Sequence, residues 1–453
     1  MKIAFHTLGC KVNQYETQAM RELFISRGYE LVGEEDFSDI YVINTCTVTG
    51  LSDKKSRQYI RRVKRINPES VTAVIGCYVQ VSPEAAAQIE GVDIVAGTNE
   101  KTNLPDYIDE FLSERLKITR VKTYDELREY EEMGIITSMD GRTRAFIKVQ
   151  EGCNQFCSYC IIPYARGPVR SRAVRDIISE AESLISKGFK EIVLTGINTA
   201  LYGSENFGLG LSEVIGLLSA IPGEFRIRLG SLEPTVVDVA YSLRLMAYDK
   251  LCHHMHLSVQ SGSDRILARM NRNYTTEAYK KILRVLKNHD SGYGITTDII
   301  VGFPGETESD FIETLKLVEE FDFCKVHVFK YSKRSGTKAA DMPEHLDSEI
   351  KAYRSRELIK AAAKSTQRFF EANIGTVRTA LIEGYDDNNR FYNGLTDNYI
   401  KVYLKSESEN PEASILNTFI QVNLEEIYED GLLAGVHNLN EISYEQIKKI
   451  ALL

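Results

Sequence analysis

The sequence predicts an α/β protein with an open parallel-sheet domain, a central partial (β/α)6 barrel and a small all-β domain. Three observations support this fold class. Strand-like and helix-like segments alternate up to about residue 100, the alternation resumes near Arg144, and short β-rich stretches follow Gly375. Alternating strands and helices indicate parallel sheets with crossover helices, whereas short strands between turn clusters indicate a small barrel or sandwich.

Length and composition limit the class of protein. A chain of 453 residues suggests about three domains, and 43% apolar and 26% charged residues are typical of globular proteins. There is no run of about 18 apolar residues and no signal-peptide pattern, so we expect a cytoplasmic protein without a membrane segment. A net charge of -9 disfavours a general polyanion binder unless local basic patches reverse the sign.

The first domain alternates three apolar strand-like runs with two helical patterns. The predicted segments are strands at residues 2–5, 40–43 and 71–75 and helices at 16–27 and 53–66. A charged stretch from Glu110 to Arg144 has little apolar periodicity, and we interpret it as a linker.

The central region repeats the strand and helix pattern, which predicts a barrel with functional residues at the carboxyl ends of its strands. The predicted strands lie near residues 146–149, 192–195, 225–228, 256–259, 297–301 and 325–329. Helices are predicted at 174–187 and from 348 to about 373. We place the domains at 1–135, 139–370 and 373–437, followed by a C-terminal tail at 438–453.

A cysteine motif follows the first barrel strand. Cys153, Cys157 and Cys160 have the spacing Cys-x3-Cys-x2-Cys. Three thiolates are one short of the four that complete a 4Fe-4S cluster, so one iron would keep an open position for a ligand. The alternatives are a three-cysteine zinc site or, for the last pair, a redox dithiol; the lack of a fourth ligand at zinc-finger spacing disfavours zinc.

This motif resembles the signature of the radical S-adenosylmethionine superfamily, in which the cofactor chelates the open iron. Three later strand ends, at residues 194–198, 258–263 and 298–306, also resemble motifs of that superfamily and follow in the same order along the chain. The resemblance implies a 4Fe-4S cluster and S-adenosylmethionine. From their positions near barrel strand ends, the candidate cofactor contacts are Phe156, Tyr159, Thr195, Gly196, Asn198, Ser231, Gln260, Ser261 and Gly302.

A second set of cysteines lies in the first domain. Cys10, Cys46 and Cys77 each follow an apolar strand-like run, so they should emerge at the same sheet edge, where open α/β sheets bind ligands. The alternative, small buried residues at strand ends, is reasonable for any one of them but not for three equivalent positions. Cys252 and Cys324 lack this pattern and are predicted to be core residues.

The whole arrangement resembles the methylthiotransferase family. The segments 7–17 and 166–172 are most similar to its branch acting on tRNA N6-threonylcarbamoyladenosine beside the anticodon. The resemblance implies two 4Fe-4S clusters and conversion of that nucleoside to its 2-methylthio derivative by radical C-H activation and sulfur insertion. The resemblance identifies no catalytic residue beyond the cluster ligands. The last domain resembles a TRAM domain.

The resemblance implies a tRNA anticodon stem-loop as the partner. A protein that binds this RNA needs positively charged residues to contact its phosphates. The candidate RNA contacts are Lys54, Arg57, Arg61 and Lys64, on one face of a predicted helix after Cys46, and Arg166, Arg170 and Arg172 after the barrel motif. A solvated helix face is the alternative for the first four. Residues 376–435 carry 11 acidic against 4 basic residues, which is unfavourable for phosphate contact.

Other functions stay open at this point. The same chemistry could act on isopentenyladenosine in tRNA or on a ribosomal-protein side chain, and an iron-sulfur RNA-binding or redox-sensing protein without turnover is a further alternative. For the enzyme, we expect an electron-donor protein as a second partner and a monomeric chain.

Overall fold

The computed structural model describes residues 1–47, 50–137, 143–205, 208–406 and 415–437, and from 50 to 55 only the backbone. The predicted tail at 438–453 lies outside the described residues. Within the described part, no helix is both long and apolar enough to span a bilayer.

The first domain is a parallel sheet flanked by helices. Its elements are β1 (Lys2–Thr7), α1 (Lys11–Ser26), β2 (Glu30–Val32), β3 (Ile40–Thr45), α2 (Gly50–Ile66), β4 (Val71–Gly76), α3 (Cys77–Val81), α4 (Pro83–Ala87), β5 (Ile94–Ala96), α5 (Leu104–Glu114) and β6 (Ile118–Arg120).

The strand order is β2-β1-β3-β4-β5-β6, and all pairs are parallel. β3 and β4 are buried along their whole length, as expected for central strands covered by helices on both faces. The three predicted strands and two helices are confirmed. The interpretation of Glu110 to Arg144 as a linker is wrong at its start, because α5 continues to Glu114 and β6 adds an edge strand to the sheet.

The central domain is the predicted partial barrel. Its elements are β7 (Arg144–Lys148), β8 (Gln150–Glu151), α6 (Ile162–Arg166), β9 (Arg170–Ser171), α7 (Val174–Ser186), β10 (Glu191–Thr195), α8 (Leu211–Ser219), β11 (Arg226–Leu229), β12 (Ser231–Leu232), α9 (Val239–Leu245), β13 (His254–Leu257), α10 (Asp264–Arg269), α11 (Thr276–His289), β14 (Gly294–Val301), α12 (Glu308–Glu320), β15 (Lys325–Lys330) and α13 (Ser348–Asn373).

Two parallel sheets, β11-β10-β7 and β12-β13-β14-β15, form the wall of this barrel. Each of the six predicted strands is confirmed, although the observed bounds differ by one to three residues. Amphipathic helices cover the outside: α7 buries Ile177, Ala181 and Leu184 on one face, at the helical spacing that its sequence predicts. The barrel strands therefore bring their carboxyl ends to one face, next to the first domain.

The last domain is a closed five-stranded barrel in the order β16-β17-β18-β20-β19. Its strands are β16 (Val377–Asp386), β17 (Phe391–Thr396), β18 (Lys401–Lys405), β19 (Phe419–Tyr428) and β20 (Gly431–Val436). The sequence did not distinguish a barrel from a sandwich for this domain. In the structure every strand pairs with two neighbours, so the sheet is a closed barrel.

Arginines of the central barrel join it to this domain. Glu191 accepts hydrogen bonds from Arg226 at 2.7 Å and from Arg228 at 2.8 and 3.0 Å, and all three side chains are buried. Arg228 also donates to the carbonyl oxygen of Thr396 at 3.0 Å. A single buried carboxylate therefore orients two arginines, which in turn bind backbone groups of the last domain.

Candidate active site

The barrel cysteine loop, residues 153–160, packs against the segment that follows α6. Gly152 has φ of 74°, and a Cβ there would lie 1.8 Å from the carbonyl oxygen of Pro168, so only glycine permits this approach. The N–H of Cys153 donates to the carbonyl oxygen of Gly167 at 3.1 Å. The loop is thereby held at the carboxyl end of β7.

Its three thiols are suited to a metal cluster. Burial raises the pKa of Cys153 to about 12 and also raises the pKa of Cys157 and Cys160, so bound metal must supply the charge that stabilises their thiolates.

A cavity of about 250 Å³ opens beside Cys160. Tyr159 and Gln260, two of the predicted cofactor contacts, line it. Gln260 has φ of 68°, a left-handed conformation that is uncommon for a residue other than glycine and is concentrated at functional sites. The phenol of Tyr159 accepts a hydrogen bond from Arg272 at 2.7 Å, which fixes the side chain next to the cysteine loop.

Asn198 is the strongest polar candidate for a ligand contact. It is 1% exposed, and neither its amide oxygen nor its amide nitrogen has a hydrogen-bond partner in the described protein. An unpaired buried amide costs free energy and calls for a polar ligand. The backbone here is fixed, because Gln150 accepts from the N–H groups of Ile197 and Asn198 at 3.0 Å, and Gly196 allows its close approach.

The other predicted cofactor contacts are not among the residues that line this cavity. Thr195 and Ser261 are buried at strand ends, whereas Ser231 is exposed on β12. The N–H of Gly302 donates to a nearby glutamate at 3.0 Å, which is a structural role in a turn. Phe156 has φ of 46° and packs edge-to-face on the tyrosine of α6.

The second cysteine set lies at the ends of β1, β3 and β4, which are adjacent in the sheet. A Cβ on Gly9 would lie 2.8 Å from Cβ of Cys46, so this glycine brings Cys10 close to Cys46. Cys77 begins α3, directly after β4. The three thiols therefore lie at the ends of adjacent strands of one sheet.

Arg166, at the end of α6, connects the helix after the barrel cysteine loop to the second cysteine set. Its Nε–H donates to the sulfur of Cys77 at 3.2 Å, and Nη2–H donates to Asn13 at 2.6 Å. Five residues, 161–165, separate it from Cys160. The helix that follows the barrel cysteine loop therefore packs against the first domain beside Cys77.

The same guanidinium is part of a buried charge network. Arg166 donates to Glu16 at 2.6 Å and to Glu151 at 2.7 Å, and Lys148 lies 3.1 Å from both carboxylates. Burial opposes ionisation of Glu16, but Arg166, Lys101 and Lys148 outweigh it and lower its pKa to about 2. The network is therefore ionised at neutral pH and joins α1 to the barrel.

The predicted RNA contacts divide into two groups. Arg166, Arg170 and Arg172 are at most 3% exposed and are paired inside the protein, so burial removes them from the surface that RNA can reach. On α2, Arg61 is exposed, whereas Lys64 makes an ion pair with Asp93 at 3.0 Å. Arg57 is half-buried, and the side chain of Lys54 lies outside the described residues.

The sequence analysis did not identify a polar cluster inside the barrel. His256, Asp298 and His327 present ligand atoms within 4.8 Å of one another. They lie on β13, β14 and β15, each pointing inward from its strand, and Asp298 also lines the cavity beside Cys160. Alternating polar residues on these neighbouring strands are the signal that could have revealed them.

Comparison with known proteins agrees with this geometry. Residues 147–318 match the radical SAM superfamily, and residues 2–97 match uncharacterized protein family UPF0004. The threonylcarbamoyladenosine tRNA methylthiotransferase MtaB of Bacillus subtilis (strain 168) is 44% identical over 90% of this chain and 91% of its own. The protein of the same name from Aquifex aeolicus is 40% identical over 89% and 96%.

The fold is shared more widely. The radical S-adenosylmethionine methyltransferase TsrM from Kitasatospora setae superposes with a TM-score of 0.57 at 15% identity, over 75% of this chain and 77% of that one. Fold and cysteine loop together define a radical S-adenosylmethionine enzyme, with a 4Fe-4S cluster and S-adenosylmethionine as its cofactors. Within that class, the chain belongs to the methylthiotransferase family.

Proposed function

We propose that this protein is a tRNA methylthiotransferase that converts N6-threonylcarbamoyladenosine beside the anticodon to its 2-methylthio derivative. The observation that carries the proposal is the presence of two three-cysteine sets at strand ends, with Arg166, six residues after Cys160 of one set, donating to Cys77 of the other. Sequence identity to two proteins named for this nucleoside supports the substrate.

We propose one 4Fe-4S cluster on Cys153, Cys157 and Cys160 and a second on Cys10, Cys46 and Cys77. When bound, clusters and S-adenosylmethionine supply the radical and the sulfur needed to replace an unactivated C-H bond of adenine, which protein acids and bases cannot ionise. The chain holds both cofactor sites in place and keeps bulk water away from the reacting atoms.

Individual side chains have distinct parts in this arrangement. Asn198 and Gln260 offer polar atoms to S-adenosylmethionine, and Arg272 fixes Tyr159 beside the cysteine loop. Arg166 places a positive charge 3.2 Å from the sulfur of Cys77, which favours the thiolate that a cluster needs. Arg57 and Arg61 of α2 remain candidates for phosphate contacts, since α2 begins four residues after Cys46.

We further propose that the chain works in the cytoplasm as a monomer with a separate electron-donor protein, since each reductive cleavage of S-adenosylmethionine consumes an electron. We also propose that the chain is divided into domains at residues 1–135, 139–370 and 373–437. The acidic last domain supports the barrel through Arg228.

Mass spectrometry of tRNA nucleosides from a deletion strain tests the substrate. We expect the 2-methylthio derivative to disappear, N6-threonylcarbamoyladenosine to accumulate and the gene to restore the product. Loss of the isopentenyladenosine derivative instead, or of a methylthio group on a ribosomal protein, would assign the other substrates. Release of 5'-deoxyadenosine by reduced, reconstituted enzyme, abolished in Cys157→Ala, excludes a redox sensor without turnover.

A further inference from the structure

The loop that follows β15, residues 331–339, packs against the barrel cysteine loop. The N–H group of Ala339 donates to the carbonyl oxygen of Ser158, inside the cysteine loop, at 2.7 Å. Nearer its middle, a Cβ on Gly336 would lie 3.6 Å from Cδ1 of Ile161, which is ordinary van der Waals contact. This loop, called the β15 loop below, therefore borders the first cysteine set.

The same loop binds the first domain through Arg334. The Nη2–H groups of Arg334 donate to the carbonyl oxygen and to Oγ1 of Thr47. Thr47 is 1% exposed and directly follows Cys46, one of the second cysteine set. The two partners are 287 residues apart in the chain, so this contact forms only when the barrel and the first domain pack together.

Arg334 also lines the cavity of about 250 Å³ beside Cys160. Tyr159 and Gln260, both proposed to lie near the cofactor, line the same cavity. One side chain therefore forms part of the wall of the cavity at the first cysteine set and binds the residue next to Cys46 of the second. Arg334 is thus a direct physical connection between the cavity and the strand end that carries Cys46.

The backbone of the β15 loop fixes the origin of this side chain. The carbonyl oxygen of Arg334 accepts hydrogen bonds from the hydroxyl of Thr337 at 2.7 Å and from its N–H group at 3.2 Å. Gly336 has φ of 83°, a conformation that glycine adopts without strain and that this tight turn requires. The guanidinium therefore extends from a hydrogen-bonded turn rather than from an open loop.

A guanidinium is well suited to this contact. Its planar group presents several N–H donors in fixed directions, and hydrogen bonds from a charged donor are stronger than those between neutral groups. Thr47 offers two oxygen acceptors to Arg334. The contact therefore restrains both the distance and the orientation of the chain next to Cys46.

We propose that Arg334 is a positioning residue that holds the strand end carrying Cys46 against the cavity beside Cys160. This inference rests on the proposed function, in which the second cysteine set supplies sulfur to a carbon activated at the first. A misplacement of about 1 Å can lower the rate of such a step about 100-fold. Loss of Arg334 should therefore leave S-adenosylmethionine cleavage intact and prevent the activated carbon from meeting the sulfur.

Hydrogen–deuterium exchange of anaerobically reconstituted protein tests the contact itself. Arg334→Met keeps a long side chain but removes the donors. We expect exchange at the backbone N–H groups of residues 44–47 to become at least about tenfold faster, because the local opening of this segment loses two charge-assisted hydrogen bonds. Lys333→Met is the matched control, since Lys333 is exposed in the same loop and its loss changes the net charge equally.

The ratio of 2-methylthio product to released 5'-deoxyadenosine tests the positioning role. It is measured with tRNA carrying N6-threonylcarbamoyladenosine at saturating S-adenosylmethionine. Arg334→Met should lower this ratio at least about tenfold, and Arg334→Lys, which keeps a charged donor, should recover part of it. Thr47→Val removes one acceptor from the other side and should lower the ratio less. Lys333→Met should match the wild type.

Iron analysis accompanies both measurements. Because the ratio is taken within each variant, a smaller active fraction at the first site cancels. Loss of iron from the second site in Arg334→Met would assign this residue a role in retaining the cluster and would overturn the positioning role. An unchanged exchange rate at residues 44–47 would also overturn it, and so would a changed exchange rate with an unchanged product ratio.

These outcomes are distinct from failure of the proposed function. If the wild type forms the 2-methylthio derivative and Arg334→Met forms it with the same ratio, the inference is wrong and the function stands. If the wild type releases 5'-deoxyadenosine but forms no 2-methylthio derivative of N6-threonylcarbamoyladenosine, the proposed function fails and the positioning role fails with it.

Discussion

Replacement of Arg166 by methionine removes the guanidinium that joins the first domain, the barrel and Cys77, while keeping a long side chain in its place. Glu16 and Glu151 lose partners at 2.6 and 2.7 Å, and Asn13 loses one at 2.6 Å. Breaking a buried ion pair from one side typically costs about 3–5 kcal/mol. Lys148 still lies 3.1 Å from both carboxylates, so we expect the lower end, about 3 kcal/mol.

Urea unfolding of cluster-loaded protein under anaerobic conditions, followed by circular dichroism, measures this loss. Because a chain with several domains need not unfold in one step, the midpoint of the first transition is the quantity to compare. Arg175→Met is the control: Arg175 is 89% exposed and pairs only with its neighbour Asp176, so its loss should cost at most about 0.5 kcal/mol.

The same variant has a second readout at the cysteines. Burial raises the pKa of Cys77, and the guanidinium of Arg166 partly opposes that rise. Without it, the thiolate is less favourable, and we expect iron to be lost from the second site before the first. Equal midpoints and equal iron contents in Arg166→Met and Arg175→Met would refute the assigned role of Arg166.

Three further predictions concern other parts of the molecule. Cys46→Ala should lower iron from about eight to about four atoms per chain by chemical analysis, with S-adenosylmethionine cleavage retained; unchanged iron would rule out the second cluster. Arg228→Met should destabilise the protein by about 3 kcal/mol and make the last domain more sensitive to protease, because Glu191 and two backbone carbonyls lose a buried partner; unchanged proteolysis would contradict this. The hydrogen bond to Asp290 raises the pKa of His253, so its stabilisation is fully present below about pH 6.5 and is lost as pH rises through the raised value. His253→Gln should therefore lower the melting temperature more at about pH 5.5 than at about pH 9, and an equal decrease at both would show that the ring does not act through its charge.

The order of domains and most strands could be predicted because they depend on local patterns. Apolar runs of strand length followed by helical periodicity appear in β3, β4, β7, β10 and β14, and the structure confirms each of them. The short strands β2, β5 and β6 were missed, since each has only three residues and depends on pairing with a neighbour.

The basic residues after the cysteine loop show where local pattern fails. Arg166, Arg170 and Arg172 are indistinguishable in sequence from a surface patch, but carboxylates from several segments bury them, including Glu16 in α1 for Arg166. The sequence does not show whether a charged residue is buried, because burial depends on which segments pack together. The inward-facing polar residues of β13, β14 and β15 were missed for the same reason.

The sequence alone determined the fold class and the two cysteine sets, because the spacing of cysteines after strands places them at one sheet edge whatever the remaining packing is. Only the tertiary structure decided how the sets meet. Arg166, in the helix after the barrel cysteine loop, donates to Cys77 and to Glu16 of the first domain. These contacts join residues that are distant in sequence, and they arise only when the domains pack.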